Sequence, residues 1–96
     1  MIGRIYKITN TKNRKFYIGS TITSISDRLA KHKHQSKDPD RTSKLYTLMR
    51  KLGPEHFHIE LLREVEVRNR TELETIEKRY IHRLHALSSL NHTHFV

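Results

Sequence analysis

The chain has 96 residues, of which 34% are hydrophobic, with 19 Lys and Arg against 10 Asp and Glu and no Cys. This length suits one domain with a modest core, so we expect a single domain over residues 1–96. The lack of cysteine excludes disulfides, thiolate metal sites and a thiol nucleophile. No apolar run approaches the length of a membrane span, and no signal-peptide pattern precedes the first strand. We therefore expect a soluble intracellular protein.

The positive charge is concentrated in the first half of the chain. Residues 1–54 hold 13 Lys and Arg against 3 Asp and Glu, whereas residues 55–96 hold 6 against 7. A basic half of this kind is typical of a surface that binds a polyanion such as nucleic acid. A merely solvated surface has the same composition, so charge by itself leaves both interpretations open.

Two short strands are predicted at the start of the chain. Residues Ile2–Thr9 and Lys15–Ser20 are rich in β-branched and aromatic side chains, and the polar residues 10–14 between them favour a turn. The two segments are expected to pair as an antiparallel hairpin. Neighbouring residues such as Ile5 and Tyr6 then point to opposite faces of the sheet.

Two helices are predicted next. The first covers approximately Ser24–His34, with Ser24 as its N-cap, and a loop follows over residues 35–41. The second covers approximately Ser43–Leu52 and is ended by Gly53-Pro54. Its apolar residues recur at helical spacing, which is typical of a helix packed on a core.

A third strand and a last helix complete the predicted fold. Phe57, Ile59 and Leu61 alternate with polar residues, which predicts a strand over Glu55–Arg63. The last helix is predicted over approximately Thr71–Leu87, because its first residues, Thr-Glu-Leu-Glu, form a capping-box pattern. The order β-β-α-α-β-α favours an α+β fold, with a small antiparallel sheet of about three strands flanked by helices.

One carboxylate interrupts the apolar stripe of the last helix. Leu73, Ile76 and Ile81 recur at helical spacing, and Glu77 lies within the stripe that they form. A carboxylate in such a stripe costs stability unless it meets a cation, a metal ion or hydrogen-bond donors. Glu77 is therefore either an edge residue that reaches water or pairs with a base such as Arg28, or a functional ligand.

Six short motifs follow one another in order along nearly the whole chain. They are Arg4-Ile5-Tyr6, Tyr17-Ile18-Gly19, Asp27-Arg28-Leu29, His32, Glu77-Lys78-Arg79-Tyr80-Ile81 and Leu90-Asn91. In this order they resemble the GIY-YIG nuclease superfamily, and the chain is most similar to the catalytic domains of phage- and virus-type homing endonucleases. One tripeptide would be weak evidence, whereas six elements in the right order are strong.

Two departures from the family pattern are visible. Arg4 stands where the family has its first glycine, with Gly3 one residue earlier. That position contributes backbone rather than a reacting group, so we expect little loss of chemistry. A histidine that some relatives carry before the second helix has no clear counterpart, and Asp40 and Arg41 lie nearest to its position.

The resemblance implies a reaction and a cofactor. It implies a DNA endonuclease that uses one Mg²⁺ ion, with Mn²⁺ as a substitute, and leaves 5′-phosphate and 3′-hydroxyl ends. Glu77 is the expected metal ligand, and Arg28 is expected to bind the non-bridging phosphate oxygens through its fork of donors. Asn91 is expected to orient the Glu77 region.

The two tyrosines and the histidine are the candidates for proton transfer. Tyr6 is expected to be the general base or to orient the attacking water, with its pKa of about 10 lowered by its neighbours. Tyr17 is expected to donate a hydrogen bond to the scissile phosphate or to share the base role. His32 lies one turn after Arg28 and is expected either to join the proton relay or to hold Tyr6 in place.

Three functions remain open from the sequence. The first is the DNA endonuclease, acting on double-stranded DNA, in the host cytoplasm or nucleus if the protein is viral. The second is a basic nucleic-acid-binding module without turnover, such as a ribosome-associated protein. The third is a nuclease subunit that acts only with a partner protein. Because one site cuts one strand, a double-strand break would require a homodimer, a partner or two visits.

Overall fold

The computed structural model describes residues 1–91 and shows a three-stranded antiparallel sheet with helices on both faces. Its elements in chain order are β1 (Ile2–Asn10), β2 (Tyr17–Thr21), α1 (Ile25–Ser36), α2 (Lys44–Leu52), a 3₁₀ turn (Pro54–His56), β3 (Phe57–Glu66), α3 (Arg70–Arg83) and a second 3₁₀ turn (Ala86–Ser88). The predicted α+β fold and its β-β-α-α-β-α order are confirmed. In this part of the chain no helix combines the length and apolarity that crossing a bilayer requires.

The central strand β1 separates two layers of helices. The strand order is β2-β1-β3, and β1 pairs antiparallel with both neighbours. Ile5 packs in a cluster with Leu73 of α3, whereas the next residue, Tyr6, packs in a cluster with Met49 of α2. Because neighbouring residues of a strand point to opposite faces, α3 covers one face of the sheet and α1 with α2 covers the other.

Strand β3 runs to Glu66, beyond the predicted end at residue 63. Its pairing with β1 shifts register between Ile5 and Tyr6, which leaves Leu62 as an extra residue on β3. A bulge of this kind lets the strand continue while its apolar residues change face. Val65 accordingly packs on the α3 side. Strict alternation of apolar and polar residues does not reveal a bulge, which is why the predicted strand was too short.

Helix α1 begins as predicted and ends later than predicted. The Ser24 hydroxyl caps it by accepting a hydrogen bond from a backbone N–H of the first turn. At the other end, the helix includes Ser36 instead of ending at residue 34. The guanidinium of Arg50 on α2 donates to the carbonyl oxygens of Ser36 at 2.9 Å, Asp38 at 3.0 Å and Arg41 at 2.8 Å. This contact between helices satisfies carbonyls at and beyond the end of α1.

Helix α3 differs from its prediction at both ends. Its N-cap is Asn69, two residues before the predicted Thr71, and the Asn69 amide oxygen accepts a first-turn N–H at 2.9 Å. The helix ends at Arg83, short of the predicted Leu87, because His85 adopts a left-handed backbone with φ of 58°. A residue with positive φ cannot continue a right-handed helix. The prediction of Gly53 as the end of α2 is confirmed, with φ of 101° at that glycine.

Candidate active site

A polar cleft of about 940 Å³ lies where the edge strand β2 meets the helices. Charged side chains from α1, α3 and the loop before α2 line it: Arg28, Lys31, Arg41, Arg70 and Lys78 are the cations, and Asp27, Glu74 and Glu77 are the carboxylates. The cations outnumber the carboxylates, so the cleft is suited to a polyanion rather than to an apolar ligand.

The buried Tyr6 ring packs directly against a glycine of the edge strand. The Tyr6 side chain is 1% exposed and pairs across the sheet with Gly19 of β2. A Cβ atom built on Gly19 would overlap the phenol oxygen and ring carbons of Tyr6. A glycine is therefore required at the end of the Tyr-Ile-Gly motif because the Tyr6 ring occupies the space of a side chain.

His32 lies at the centre of three tyrosine rings. The Tyr6 hydroxyl is 2.7 Å from His32 Nε2, and the Tyr46 hydroxyl is 2.8 Å from His32 Nδ1. The ring centroids of Tyr6, Tyr17 and Tyr46 lie 6.0, 5.7 and 5.6 Å from that of the imidazole. The Tyr46 hydroxyl in turn donates to Gln35 Oε1 at 2.6 Å. The predicted neighbours Tyr6 and His32 are thus in direct contact, and sequence reasoning missed Tyr46 and Gln35.

Burial keeps the members of this cluster uncharged. It raises the pKa of Tyr6 well above the ordinary value of 10.0, Tyr17 adds to the rise, and the Arg28 guanidinium offsets part of it by its charge and by a hydrogen bond. Burial and the nearby Glu77 carboxylate raise the pKa of Tyr17 to about 12. Burial and the charges of its own helix lower the pKa of His32 from 6.5 to about 3. Arg28 lowers the pKa of Tyr6 as expected, but burial outweighs it, so the net shift from the protein groups is upward.

Arg28 and Glu77 face the same cleft from different helices. Arg28 lies on α1, and its charge and hydrogen bond reach Tyr6. Glu77 comes from α3, is half-buried and accepts a hydrogen bond from the Ser20 hydroxyl. Ser20 is another residue that sequence reasoning missed. Its position directly after Gly19 was the available signal, because strand alternation turns it towards the α3 layer.

Asn91 binds the backbone of the edge strand β2. Its side-chain oxygen accepts from the Ile18 N–H at 2.8 Å, and its side-chain nitrogen donates to the Ile18 carbonyl at 2.7 Å. Both bonds are buried, and Ile18 lies between Tyr17 and Gly19. The Asn91 amide thus satisfies backbone groups at the β2 edge that a further strand would otherwise bind, and its expected role in orienting the Glu77 region stays a prediction.

The structure also shows where the residues at the two departures from the family pattern lie. Arg4 Nη1 donates to the Thr23 carbonyl at 3.1 Å, and Arg4 Nε lies 3.2 Å from a carboxylate oxygen of Glu64. Arg4 thus joins β1 to β3 and to the loop after β2. Arg41, one of the two residues near the position of the family histidine, lines the cleft, whereas Asp40 is not among its lining residues.

Solved structures of the same architecture belong to an endonuclease. The catalytic domain of the homing endonuclease I-TevI matches with a TM-score of 0.78 and 24% identity over 96% of this chain and 99% of that one. An alanine variant of the intron endonuclease I-TevI catalytic domain matches with a TM-score of 0.81 and 24% identity, over 100% and 98%. At this identity the likeness establishes the fold.

The sequence comparisons give the family. The sequence model of the GIY-YIG catalytic domain matches residues 2–91. This chain belongs to the GIY-YIG family. Protein 019R, an uncharacterized protein of Invertebrate iridescent virus 6, is 37% identical over 90 residues, which are 94% of this chain and 32% of that protein. The MSV199 domain-containing protein 146R of the same virus is 36% identical over 90 residues, 93% of this chain and 36% of that one. The chain thus spans about a third of the length of these relatives.

Proposed function

We propose that this chain is the catalytic domain of a DNA endonuclease, which hydrolyses phosphodiester bonds with one divalent metal ion and leaves 5′-phosphate and 3′-hydroxyl ends. The observation that carries the proposal is the 2.7 Å contact between the Tyr6 hydroxyl and His32 Nε2. This contact lies beside a cationic cleft that also holds Arg28 and Glu77. A buried tyrosine bound to an uncharged histidine offers a route for a proton, which a protein that only binds nucleic acid does not need.

Tyr6 and His32 act as one base in this proposal. A free Tyr6 phenolate is costly because burial and Tyr17 raise its pKa. The attacking water therefore gives its proton to the Tyr6 oxygen while the Tyr6 proton passes to His32 Nε2. The water oxygen bonds to phosphorus, the bond to the 3′ oxygen breaks, and the leaving oxygen takes a proton from solvent. The net acceptor of the water proton is His32, and the negative charge of the bound phosphate would stabilise the imidazolium, whose pKa is lowered to about 3 in the DNA-free protein.

Arg28 and Tyr17 would hold the scissile phosphate. The Arg28 guanidinium is planar and charged, so it can donate two parallel hydrogen bonds to the non-bridging oxygens. The pKa of Tyr17, raised to about 12, keeps its hydroxyl protonated at neutral pH. Tyr17 would therefore donate a hydrogen bond to the phosphate rather than share the role of base.

Glu77 is the residue that would hold the metal ion. Among residues 1–91, no group of three or more His, Asp or Glu side chains is placed to bind a metal. A site with one carboxylate at an open polar cleft fits Mg²⁺, which keeps several waters and takes phosphate oxygens as ligands, and Mn²⁺ can occupy the same kind of site. When bound, the ion would neutralise charge on the phosphate and on the leaving 3′ oxygen. Ser20 would orient the Glu77 carboxylate by its hydrogen bond.

Double-stranded DNA is the proposed substrate, and its sequence would be read elsewhere. The five cleft cations can follow a phosphate backbone without reading bases. Because the chain spans about a third of the length of its relatives, we assign target recognition to a further segment or to a partner protein. A double-strand break would need two cuts, made either by the two sites of a homodimer or by one site that binds the DNA twice.

The deciding experiment is nicking of supercoiled plasmid at low salt with Mg²⁺. We compare the wild type with Glu77→Gln and with Glu74→Gln, which removes a second carboxylate of the same cleft one turn earlier on α3. The wild type should nick, Glu77→Gln should lose about 10²-fold or more, and Glu74→Gln should keep most of the rate. DNA affinity, measured in parallel, should stay similar in all three.

Each other outcome has a defined meaning. Equal nicking by the wild type and Glu77→Gln would overturn the metal site. Binding by all three proteins with no nicking would favour a binding module or a subunit that needs a partner. Resealing of the nicked product by DNA ligase tests the ends, since ligase joins a 5′-phosphate to a 3′-hydroxyl. Failure to reseal would contradict the proposed end chemistry.

A further inference from the structure

The hydrogen bonds around His32 determine which of its nitrogens carries the proton. A tyrosine hydroxyl has one proton to donate. The Tyr46 hydroxyl donates its proton to Gln35 Oε1 at 2.6 Å. Its 2.8 Å contact with His32 Nδ1 must therefore be a bond in which the imidazole N–H donates and the Tyr46 oxygen accepts.

A neutral imidazole carries only one N–H, so the protonation of one ring nitrogen fixes the state of the other. With the proton on Nδ1, Nε2 holds a lone pair and accepts the Tyr6 hydroxyl proton across 2.7 Å. The bonds then run in one direction: Tyr6 donates to His32, His32 to Tyr46, and Tyr46 to Gln35.

We propose that Tyr46 and Gln35 are positioning residues that hold the His32 proton on Nδ1, so that Nε2 faces Tyr6 as a base. Without them the imidazole could place its proton on Nε2 and donate to the Tyr6 oxygen. It would then block the transfer of a proton from Tyr6. The orienting group of a catalytic triad acts on its histidine in the same way.

This inference rests on the proposed function for its role in catalysis, but its structural claim stands apart. During the reaction the Tyr46 oxygen would continue to accept from Nδ1 while His32 becomes a cation. Tyr46 is half-buried, and its backbone N–H is bound separately by the Ser43 hydroxyl at the start of α2. Removing the Tyr46 hydroxyl should therefore leave the helix cap in place.

The test is the ¹⁵N NMR spectrum of the His32 ring in the DNA-free protein, assigned by its loss in His32→Gln. In the wild type, Nδ1 should show the shift of a protonated ring nitrogen and Nε2 that of an unprotonated one. In Tyr46→Phe the two shifts should move towards each other or exchange. Tyr80→Phe, which changes a half-buried tyrosine packed in the α3 cluster, should leave them unchanged. A wild-type proton on Nε2, or no change in Tyr46→Phe, would overturn the proposal.

A kinetic measurement separates this inference from the proposed function. In single-turnover nicking at saturating DNA, Tyr46→Phe should slow the rate about 10-fold or more with unchanged DNA affinity. An unchanged rate would overturn the role of Tyr46. If the wild type binds DNA and never nicks it, the proposed function fails while the NMR result still decides the tautomer. If the wild type nicks and its proton lies on Nε2, only the role of Tyr46 and Gln35 fails.

Discussion

The two sides of the cleft differ in how many of their functional groups are already held in place by protein contacts. On the α1–α2 side, His32 is 2% exposed and both of its ring nitrogens are hydrogen-bonded. On the α3 side, Glu77 is half-buried beside open solvent, with Ser20 donating to it. In our proposal the α1–α2 side transfers the proton and is already preorganised, whereas the α3 side is completed by water, a metal ion and phosphate. Substitutions on the two sides should separate stability from activity.

The largest expected effect comes from His32→Ala. It removes the proposed final proton acceptor and the buried partner of the Tyr6 and Tyr46 hydroxyls. Single-turnover nicking should slow about 10²–10⁴-fold, and the free energy of unfolding in urea should fall by about 1–3 kcal/mol. Glu77→Gln should also lose nicking but change the free energy of unfolding by less than about 0.5 kcal/mol. Equal destabilisation by both variants would contradict the contrast between the two sides.

Crowding the sheet at Gly19 should have the next largest effect. In Gly19→Ala the added methyl collides with the Tyr6 phenol, which should cost about 1–3 kcal/mol of unfolding free energy and displace Tyr6 from His32. Gly3→Ala is the matched control, because its methyl meets the flexible end of Leu73 in the α3 layer. Below the melting temperature of both variants, Gly3→Ala should nick faster than Gly19→Ala. The reverse order would show that the Tyr6 position does not limit the reaction.

The buried imidazole should also make stability depend on pH. Burial lowers the pKa of His32 from 6.5 to about 3, so between these values the unfolded chain binds a proton that the folded chain does not. Stability should therefore fall as the pH decreases from 6.5 towards 3. Relative to His32→Gln, the wild-type free energy of unfolding should fall by up to about 1.4 kcal/mol per pH unit. Parallel pH profiles would mean that folded His32 takes up its proton normally.

The smallest expected effect is stabilisation by the metal ion alone. A weakly held Mg²⁺ or Mn²⁺ at millimolar concentration should raise the free energy of unfolding by about 1 kcal/mol in the wild type and in Glu74→Gln. Glu77→Gln should show no such rise in thermal melts. An equal rise in all three proteins would place the ion at another site.

Local sequence signals predicted most of the elements and some of their ends. The Ser24 and Ser43 side chains accept hydrogen bonds from first-turn N–H groups and so cap α1 and α2, and Gly53 ends α2. The predicted start of α3 was wrong because it followed the capping-box pattern at Thr71, whereas Asn69, the stronger N-cap residue, begins the helix. The bulge at Leu62 was missed because its cause is the pairing with β1.

The candidate site was predicted in part, and mainly from the order of the motifs. Tyr6 and His32 do meet, but the orientation of the imidazole depends on Tyr46, which is 14 residues away on another helix. Ser20 drew no attention as a single serine in a strand, although it donates to Glu77. Such residues have no pattern of their own, since their importance comes from packing between elements.

The sequence by itself determined the strands, the helices, the basic first half and the residue types of the candidate site. These features depend on side-chain chemistry and on contacts within a few residues along the chain. Only the tertiary structure decided that burial would hold Tyr6 and His32 uncharged, because desolvation depends on what packs around a group. It likewise decided that Arg50 of α2 binds one carbonyl at the end of α1 and two beyond it, because that contact depends on how the two helices pack.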